Sequence, residues 1–269
     1  MSSFKLKLVA LLAMTIDHAA KILGQLTFLL IFPNALSTTA NIILSMEVVG
    51  RIAFPLFAFM VAEGCCKARS VPKYMLRLAI FAVISQPIYH LAFSTSPRLL
   101  DWQLVKESFA SLSNPDNIFV TLLLGALPVF TFKRLKCIKN SWAIFIALPV
   151  LAACSFIAAY LHTSYGAWGV LLIFVLYLFH RRRQSAVIIL LWSTVFYLGY
   201  ASWNGSRLGW LNPDFGVSLH YIMHWAVSCF STVFVLLYNG ERGEYSRWFF
   251  YIYYPSHLFM LFTAKCLIL

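Results

Sequence analysis

The sequence predicts an all-α fold: a polytopic integral membrane helical bundle, with about nine transmembrane helices, a cytoplasmic N-terminus and one domain over residues 1–269. Three observations carry this expectation. Of the residues, 61% are apolar and only 11% are charged, where soluble domains hold about 45–50% and about 25%. Mean hydropathy is +0.79. The lysines and arginines gather on alternate loops, as they do around membrane helices. A soluble globular fold is excluded. So is intrinsic disorder, since 17% aromatic content supplies ample apolar surface to bury.

Spanning needs about 20 mostly apolar residues, and candidate runs fall at 8–32, 42–62, 73–93, 117–132, 141–160, 166–180, 186–201, 219–238 and 248–267. The fourth, sixth and seventh are short, so one of them could be re-entrant. The first run outlasts a signal-peptide core and carries Asp17, His18 and Lys21, so it is read as a membrane helix rather than a cleaved leader. Pro55 predicts a kink in the second run and Gln86-Pro87 one in the third, each freeing a backbone carbonyl. Broken helices often line binding cavities, although proline is common in membrane helices anyway. The stretches 94–116 and 202–218 are rich in Pro, Ser, Asn and Asp and read as outer loops. Asn204-Gly205-Ser206 matches a glycosylation sequon, to which almost no weight is given. The six cysteines include the adjacent Cys65 and Cys66 and form no C-x-x-C, so reduced thiols are expected.

Orientation follows from charge. With the N-terminus inside, 14 basic residues fall on inner segments: Lys5, Lys7, Lys67, Arg69, Lys73, Lys133, Arg134, Lys136, Lys139, Arg181, Arg182, Arg183, Arg242 and Arg247. Only four, Arg98, Lys106, Arg207 and Lys265, fall outside. The net charge of +12 is therefore read as membrane anchoring, not nucleic-acid binding.

Ionisable groups inside spans are costly and usually functional, so their depth matters. At 1.5 Å per residue, Asp17 and His18 lie about 14 Å above the inner end of the first run, Arg51 about 17 Å above that of the second, and His257 about 14 Å above that of the ninth. All four come out near one level, close to the bilayer middle. A lone aspartate in hydrocarbon needs a cation or a proton, and an arginine cannot lose its proton. An Asp17–Arg51 pair answers both needs, though it could equally serve only to hold two helices together. His18 and His257 could line a polar interior and act as bases, or simply be packed histidines. Glu63, at the inner end of the second run, could position a substrate or pair with Arg77. His220 and His224 have zinc-compatible i, i+4 spacing, with His162 or Asp214 as the remaining outer candidates; no metal is expected. Phe249, Phe250, Tyr251, Tyr253 and Tyr254 suit an interfacial aromatic belt. Phosphate-loop, dinucleotide-fingerprint, H-E-x-x-H and G-x-S-x-G motifs are absent. That argues against ATP-driven transport, Rossmann redox chemistry and serine hydrolysis.

Four segments resemble the TraX family in family order: Leu11 to His18, Gly50-Arg51-Ile-Ala-Phe54-Pro55-Leu-Phe57, Thr163-Ser164-Tyr165-Gly166-Ala-Trp-Gly169, and Phe249 to Leu258. They run from residue 11 to 258, nearly the whole chain. The resemblance implies a bacterial inner-membrane acetyltransferase, with cytoplasmic acetyl-CoA as donor and an amine acceptor such as the N-terminus of a pilin-like protein. It points to Asp17, His18, Arg51, Tyr165 and His257. Partners would be the lipid bilayer, acetyl-CoA and the acceptor.

An amine attacking a thioester sheds a proton, which a histidine can take. His257 is the first choice and His18 the second, with Asp17 orienting an imidazole or pairing with Arg51. Arg51 or Tyr165 could donate to the developing oxyanion, although Tyr165 is expected near the outer face. Glu63, Tyr165 and Arg77 are the candidate substrate-binding residues. Lys67 and Lys73, with the 133–139 cluster, are the candidates for the CoA phosphates. A sugar O-acyltransferase, a proton-coupled secondary transporter and a structural assembly factor are the alternatives.

Overall fold

The computed structural model describes residues 1–31, 36–94, 101–138, 142–199, 215–244 and 248–268. Arg98, Lys139, Arg207, Asp214, Arg247 and the triplet 204–206 lie outside them. Every described element is helical: α1 (Ser3–Ile31), α2 (Leu36–Gly50), α3 (Ala53–Lys67), α4 (Val71–Phe93), α5 (Trp102–Ala110) with a 3₁₀ turn (Ser111–Ser113), α6 (Ile118–Cys137), α7 (Ala143–Tyr160), α8 (Gly166–Leu178), α9 (Arg182–Ser193) running into a π-helical turn (Thr194–Leu198), α10 (Phe215–Leu237) and α11 (Phe249–Ile268).

Among the described residues, five stretches are long and apolar enough to cross a membrane: Thr38–Lys67, Val71–Phe93, Trp102–Cys137, Ala143–Tyr160 and Leu219–Leu237. The chain is thus a multi-pass helical membrane protein. The shorter Gly166–Leu178 is also apolar. α7 shows which side meets lipid: Phe145, Phe156 and Tyr160 are exposed, an arrangement that is stable only against an apolar surround. The described cysteines are free thiols.

Local chemistry sets several of the ends. Ser70 caps α4 by accepting from the Lys73 amide, and Pro72 occupies the first turn, where its missing N–H costs nothing. Asn117 caps α6 by accepting from the Phe119 amide at 3.0 Å. α1 is interrupted at Gly24, whose φ of 64° and ψ of 174° lie in a region open essentially to glycine alone.

Two expectations are corrected here. The run 42–62 is not one kinked helix but two, α2 and α3, separated by a turn at Arg51 and Ile52. There the Arg51 and Ile52 amides bond back three residues, to Val48 and Val49 at 3.1 and 3.2 Å. Pro55 lies in the first turn of α3, where it can neither donate to the Arg51 carbonyl nor disrupt anything. The stretch 94–116, expected to be an outer loop, contains a helix among its described residues, α5. Its N-cap Asp101 accepts from the Gln103 and Leu104 amides at 2.9 and 3.2 Å. A nine-residue helix with Gln103, Lys106 and Glu107 on it makes no apolar run, so hydropathy passes over it.

α8 sits in the interior, in contact with α3, α6, α7 and α9, and buries Val170, Leu172, Ile173, Phe174 and Leu176. α1 packs on α2, α3 and α11, and α4 on α6 and α11. The candidate side chains gather where α1, α3, α4 and α11 converge.

Candidate active site: a charged knot, a histidine pair and a basic cavity

Asp17 is the centre of the first cluster. Arg51 donates from Nη2 to Oδ1 at 2.8 Å, and Lys21 from Nζ to Oδ2 at 2.7 Å. The Arg51 Nε–H goes to the Glu47 carbonyl at 3.0 Å. Asp17 is only 8% exposed, so its charge is held by two cations rather than by water. The α2–α3 turn makes this possible. A Cβ on Gly50 would overlap the Asp17 side chain, standing 2.7 Å from Cγ and Oδ1. Only a residue without a side chain lets α1 come so close.

Tyr165, at the N-cap of α8, stacks on Phe54 with ring centroids 3.6 Å apart and planes 9° apart. Gly169 leaves room for that stack: a Cβ there would lie 2.8 Å from Phe54 Cζ and 2.9 Å from Tyr165 Cβ. Tyr165 and Tyr197 lie within electrostatic reach of the Arg51 guanidinium, and the buried Tyr197 hydroxyl has no hydrogen-bond partner among the described residues. Tyr165 therefore reaches the level of the ion pair, because α3 and α8 both begin there.

The second cluster joins α1 to α11. His18 Nδ1 and His257 Nε2 are 2.8 Å apart, and the two rings are within 5° of parallel. The His257 Nδ1–H donates to the Tyr253 carbonyl at 3.1 Å. Below it, Thr15 Oγ1 and the Tyr253 hydroxyl are bonded at 2.9 Å. Tyr254 lies edge-on to both histidines, at 6.1 Å from His18 and 5.5 Å from His257.

Tyr254 also borders the third feature, a cavity of about 820 Å³. Lys7, Lys67, Arg69, Lys73, Arg77 and Arg242 line one end, near the starts of α1 and α4 and the end of α3. Leu11, Met14, Phe119, Leu122 and Tyr254 line the other. Tyr74, Phe250 and Tyr251 add aromatic faces to the lining. Such a cavity can hold an elongated ligand with an anionic head and an apolar tail.

The expected Glu63–Arg77 pair does not form. Glu63 binds Lys67 at 2.7 Å and accepts from the Tyr238 hydroxyl at 3.2 Å. Arg77 lies instead against the Tyr74 ring at 6.0 Å, with its Nε–H lacking a partner among the described residues. Helical register places Glu63 and Arg77 at a similar depth, but the Tyr238 that intervenes is remote in sequence. Glu63, Arg77, Lys67 and Lys73 nonetheless all border the one cavity. Lys67 is already engaged by Glu63, by Tyr238 and by the Gly240 carbonyl at 2.6 Å. Lys133 is turned elsewhere and caps α3 through the Cys65 and Cys66 carbonyls at 2.6 and 3.1 Å.

Tyr197, Tyr74, Arg69, Arg242 and the Thr15–Tyr253 bond were not singled out from the sequence. The i, i+4 spacing of Tyr253 and His257 was a usable signal for one of them. His220 and His224 touch ring to ring at 4.0 Å. Among the described residues, no three His, Cys, Asp or Glu side chains gather as metal ligands would.

Comparison with known proteins bears on the same residues. A family model described as "TraX protein" matches residues 2–265. The chain is 27% identical over 270 residues to a probable fimbrial assembly protein FimC, serogroup H1, of Dichelobacter nodosus, covering 98% of this chain and 96% of that one. No solved structure matches. The family match takes in the Asp17–Arg51 pair, Tyr165 and both histidines, and by its extent the chain belongs to the TraX family.

Proposed function

We propose that the protein is a membrane-embedded acetyltransferase that carries an acetyl group from acetyl-CoA to an amine. The acceptor in this reading is the N-terminus of a pilin-like membrane protein, and the membrane is the bacterial inner membrane. Nine crossings with a cytoplasmic N-terminus would put the basic end of the cavity on the cytoplasmic side. The single observation that carries the reading is the cavity itself: cationic at one end, lined by aromatic rings, and bordered by Tyr254, which packs against the paired histidines. The name of the D. nodosus relative, a probable fimbrial assembly protein, supports a fimbrial acceptor.

The chemistry then divides among the three clusters. Arg69, Lys73 and Arg77 attract the phosphates of the donor. Tyr74 and Phe250 offer faces for its adenine. The acyl end lies toward Met14 and Tyr254. A histidine takes the proton of the attacking amine. Arg51, held by Asp17, and Tyr165 beside it provide positive potential and a hydroxyl donor for the developing oxyanion.

The test uses membranes from cells with and without the protein, and from a His257→Ala strain at matched expression. Labelled acetyl-CoA is added, and label is followed into proteins, lipids and glycans. Label appearing in a protein N-terminus only with the intact chain supports the proposal. Label in glycans would move the acceptor to sugar hydroxyls. No dependent label in the presence of native acceptors would overturn the reading.

A further inference from the structure

The two histidines are chemically inequivalent, and the hydrogen bonds say how. A carbonyl oxygen has no proton to give, so the 3.1 Å contact between His257 Nδ1 and the Tyr253 carbonyl requires the proton on Nδ1. In a neutral ring, Nε2 then carries the lone pair. His18 Nδ1 stands 2.8 Å from that lone pair, in nearly the same plane, so His18 Nδ1 must carry a proton too. That leaves His18 Nε2 as the unprotonated nitrogen of the pair.

A doubly protonated His257 would reverse the order, but its surroundings oppose it. The ring is 3% exposed, and the nearby cations Lys21 and Arg51 already share the one Asp17 carboxylate. Tyr253 stacks on the ring at 5.3 Å and Tyr254 lies edge-on at 5.5 Å, and neither brings a carboxylate. A third positive charge there would have no anion to pair with. His18 is the more exposed of the two, and among the described residues its Nδ1, not its Nε2, is the nitrogen engaged by His257.

We infer that His18 Nε2 is the atom that accepts the acceptor's proton, and that His257 is a positioning residue that fixes the His18 tautomer through the line Tyr253 carbonyl, His257, His18. This rests on the transferase reading and deepens it. The amine nitrogen forms a bond to the thioester carbonyl carbon. His18 Nε2 takes the N–H proton, the C–S bond breaks, and the departing thiolate receives that proton. His18 returns to its starting tautomer, and its Nδ1–H stays on His257 throughout.

Two measurements test this on the full chain in nanodiscs. The first is ¹⁵N NMR of histidine-labelled protein, with signals assigned by comparison with His18→Gln and His257→Gln. Both rings are expected as Nδ1–H tautomers, with scalar coupling from His18 Nδ1–H to His257 Nε2. A proton on His18 Nε2 overturns the inference, whatever the activity. The second is acetyl transfer. His18→Gln removes the base and should cost at least about 100-fold. His257→Gln puts an amide oxygen near the position of Nε2 and should keep activity within about tenfold of wild type, whereas His257→Leu should lose about 100-fold. A His257→Gln loss as deep as that of His18→Gln, in protein of unchanged melting behaviour, overturns the assignment. Wild-type protein that transfers no acetyl group would instead defeat the transferase reading and leave the NMR result to decide the proton order alone.

Discussion

Asp17→Asn is the sharpest perturbation of the structure. The substitution keeps shape and removes the charge on which Arg51 and Lys21 converge at 2.8 and 2.7 Å. The Lys21 side chain is 33% exposed and can turn to other partners, so its share is that of a surface pair, about 0–1 kcal/mol. Arg51 is 18% exposed and anchored through Nε to Glu47, so it cannot follow. Stranding one member of a buried pair costs about 3–5 kcal/mol, and this dominates. At about 2–4 °C per kcal/mol for a domain of similar size, Tm should fall by about 6–20 °C. The assay is a thermal ramp with a thiol-reactive dye, which reads exposure of Cys65 and Cys154, both buried. Arg51→Gln alone should cost less, because the remaining Asp17 keeps Lys21. The double variant should recover part of the loss, giving a coupling of about 1–3 kcal/mol. Additive losses, or a Tm for Asp17→Asn within about 2 °C of wild type, would refute the claim that the pair is held in low dielectric.

Gly50→Ala should reproduce part of that phenotype without touching a charge. Its methyl must push against Asp17, at about 1–3 kcal/mol for overpacking; an unshifted melt would show that α1 and α2 can separate freely. Lys73→Gln and Arg77→Gln should each raise the KM for acetyl-CoA several-fold with kcat kept. The wild-type KM should rise with ionic strength as screening shortens from about 10 Å at 0.1 M salt to about 3 Å at 1 M. Salt-independent kinetics would place the donor elsewhere. Gln86→Leu breaks the bonds to Asp116 at 2.8 Å and to the Asn117 side chain at 2.7 Å. Unsatisfied polar groups in that buried corner should cost about 1–3 kcal/mol, read as a lower Tm with no change in the acetyl-CoA KM.

The charged knot was legible in the sequence because burying a charge leaves few options. Asp17 and Arg51 at matching depth on successive apolar runs had to find each other. His18 and His257 also came out level, but which ring supports the other depends on a backbone carbonyl that no residue pattern displays. Register arithmetic failed where a remote element intervened: Tyr238 on the far side of the chain takes Glu63, and so Arg77 is left to Tyr74. Pro55 signalled a break, yet the break sits at Arg51 and Ile52, where Gly50 meets Asp17. A close approach between helices is a tertiary fact. The cavity was legible only as scattered basic residues: Lys133 turns away to cap α3, whereas Arg69 and Arg242, read only as topology charges, border the cavity with Lys67.

α8 has 13 residues and runs from Tyr165, beside Arg51, to the neighbourhood of the basic loop at His180 and Arg181. Its length is about 20 Å, against a hydrocarbon core of about 30 Å. Depths counted along α1 put Asp17 nearer half-way. In electrical terms, a proton passing between this layer and the basic face crosses about half to two-thirds of the voltage drop. A full crossing is worth about 2.3 kcal/mol per 100 mV, so that partial step is worth about 1.2–1.5 kcal/mol. That equals roughly one pH unit. A histidine pair at that depth would have its proton equilibria tied to the energised state of the membrane as well as to the acidity of the solution on either side.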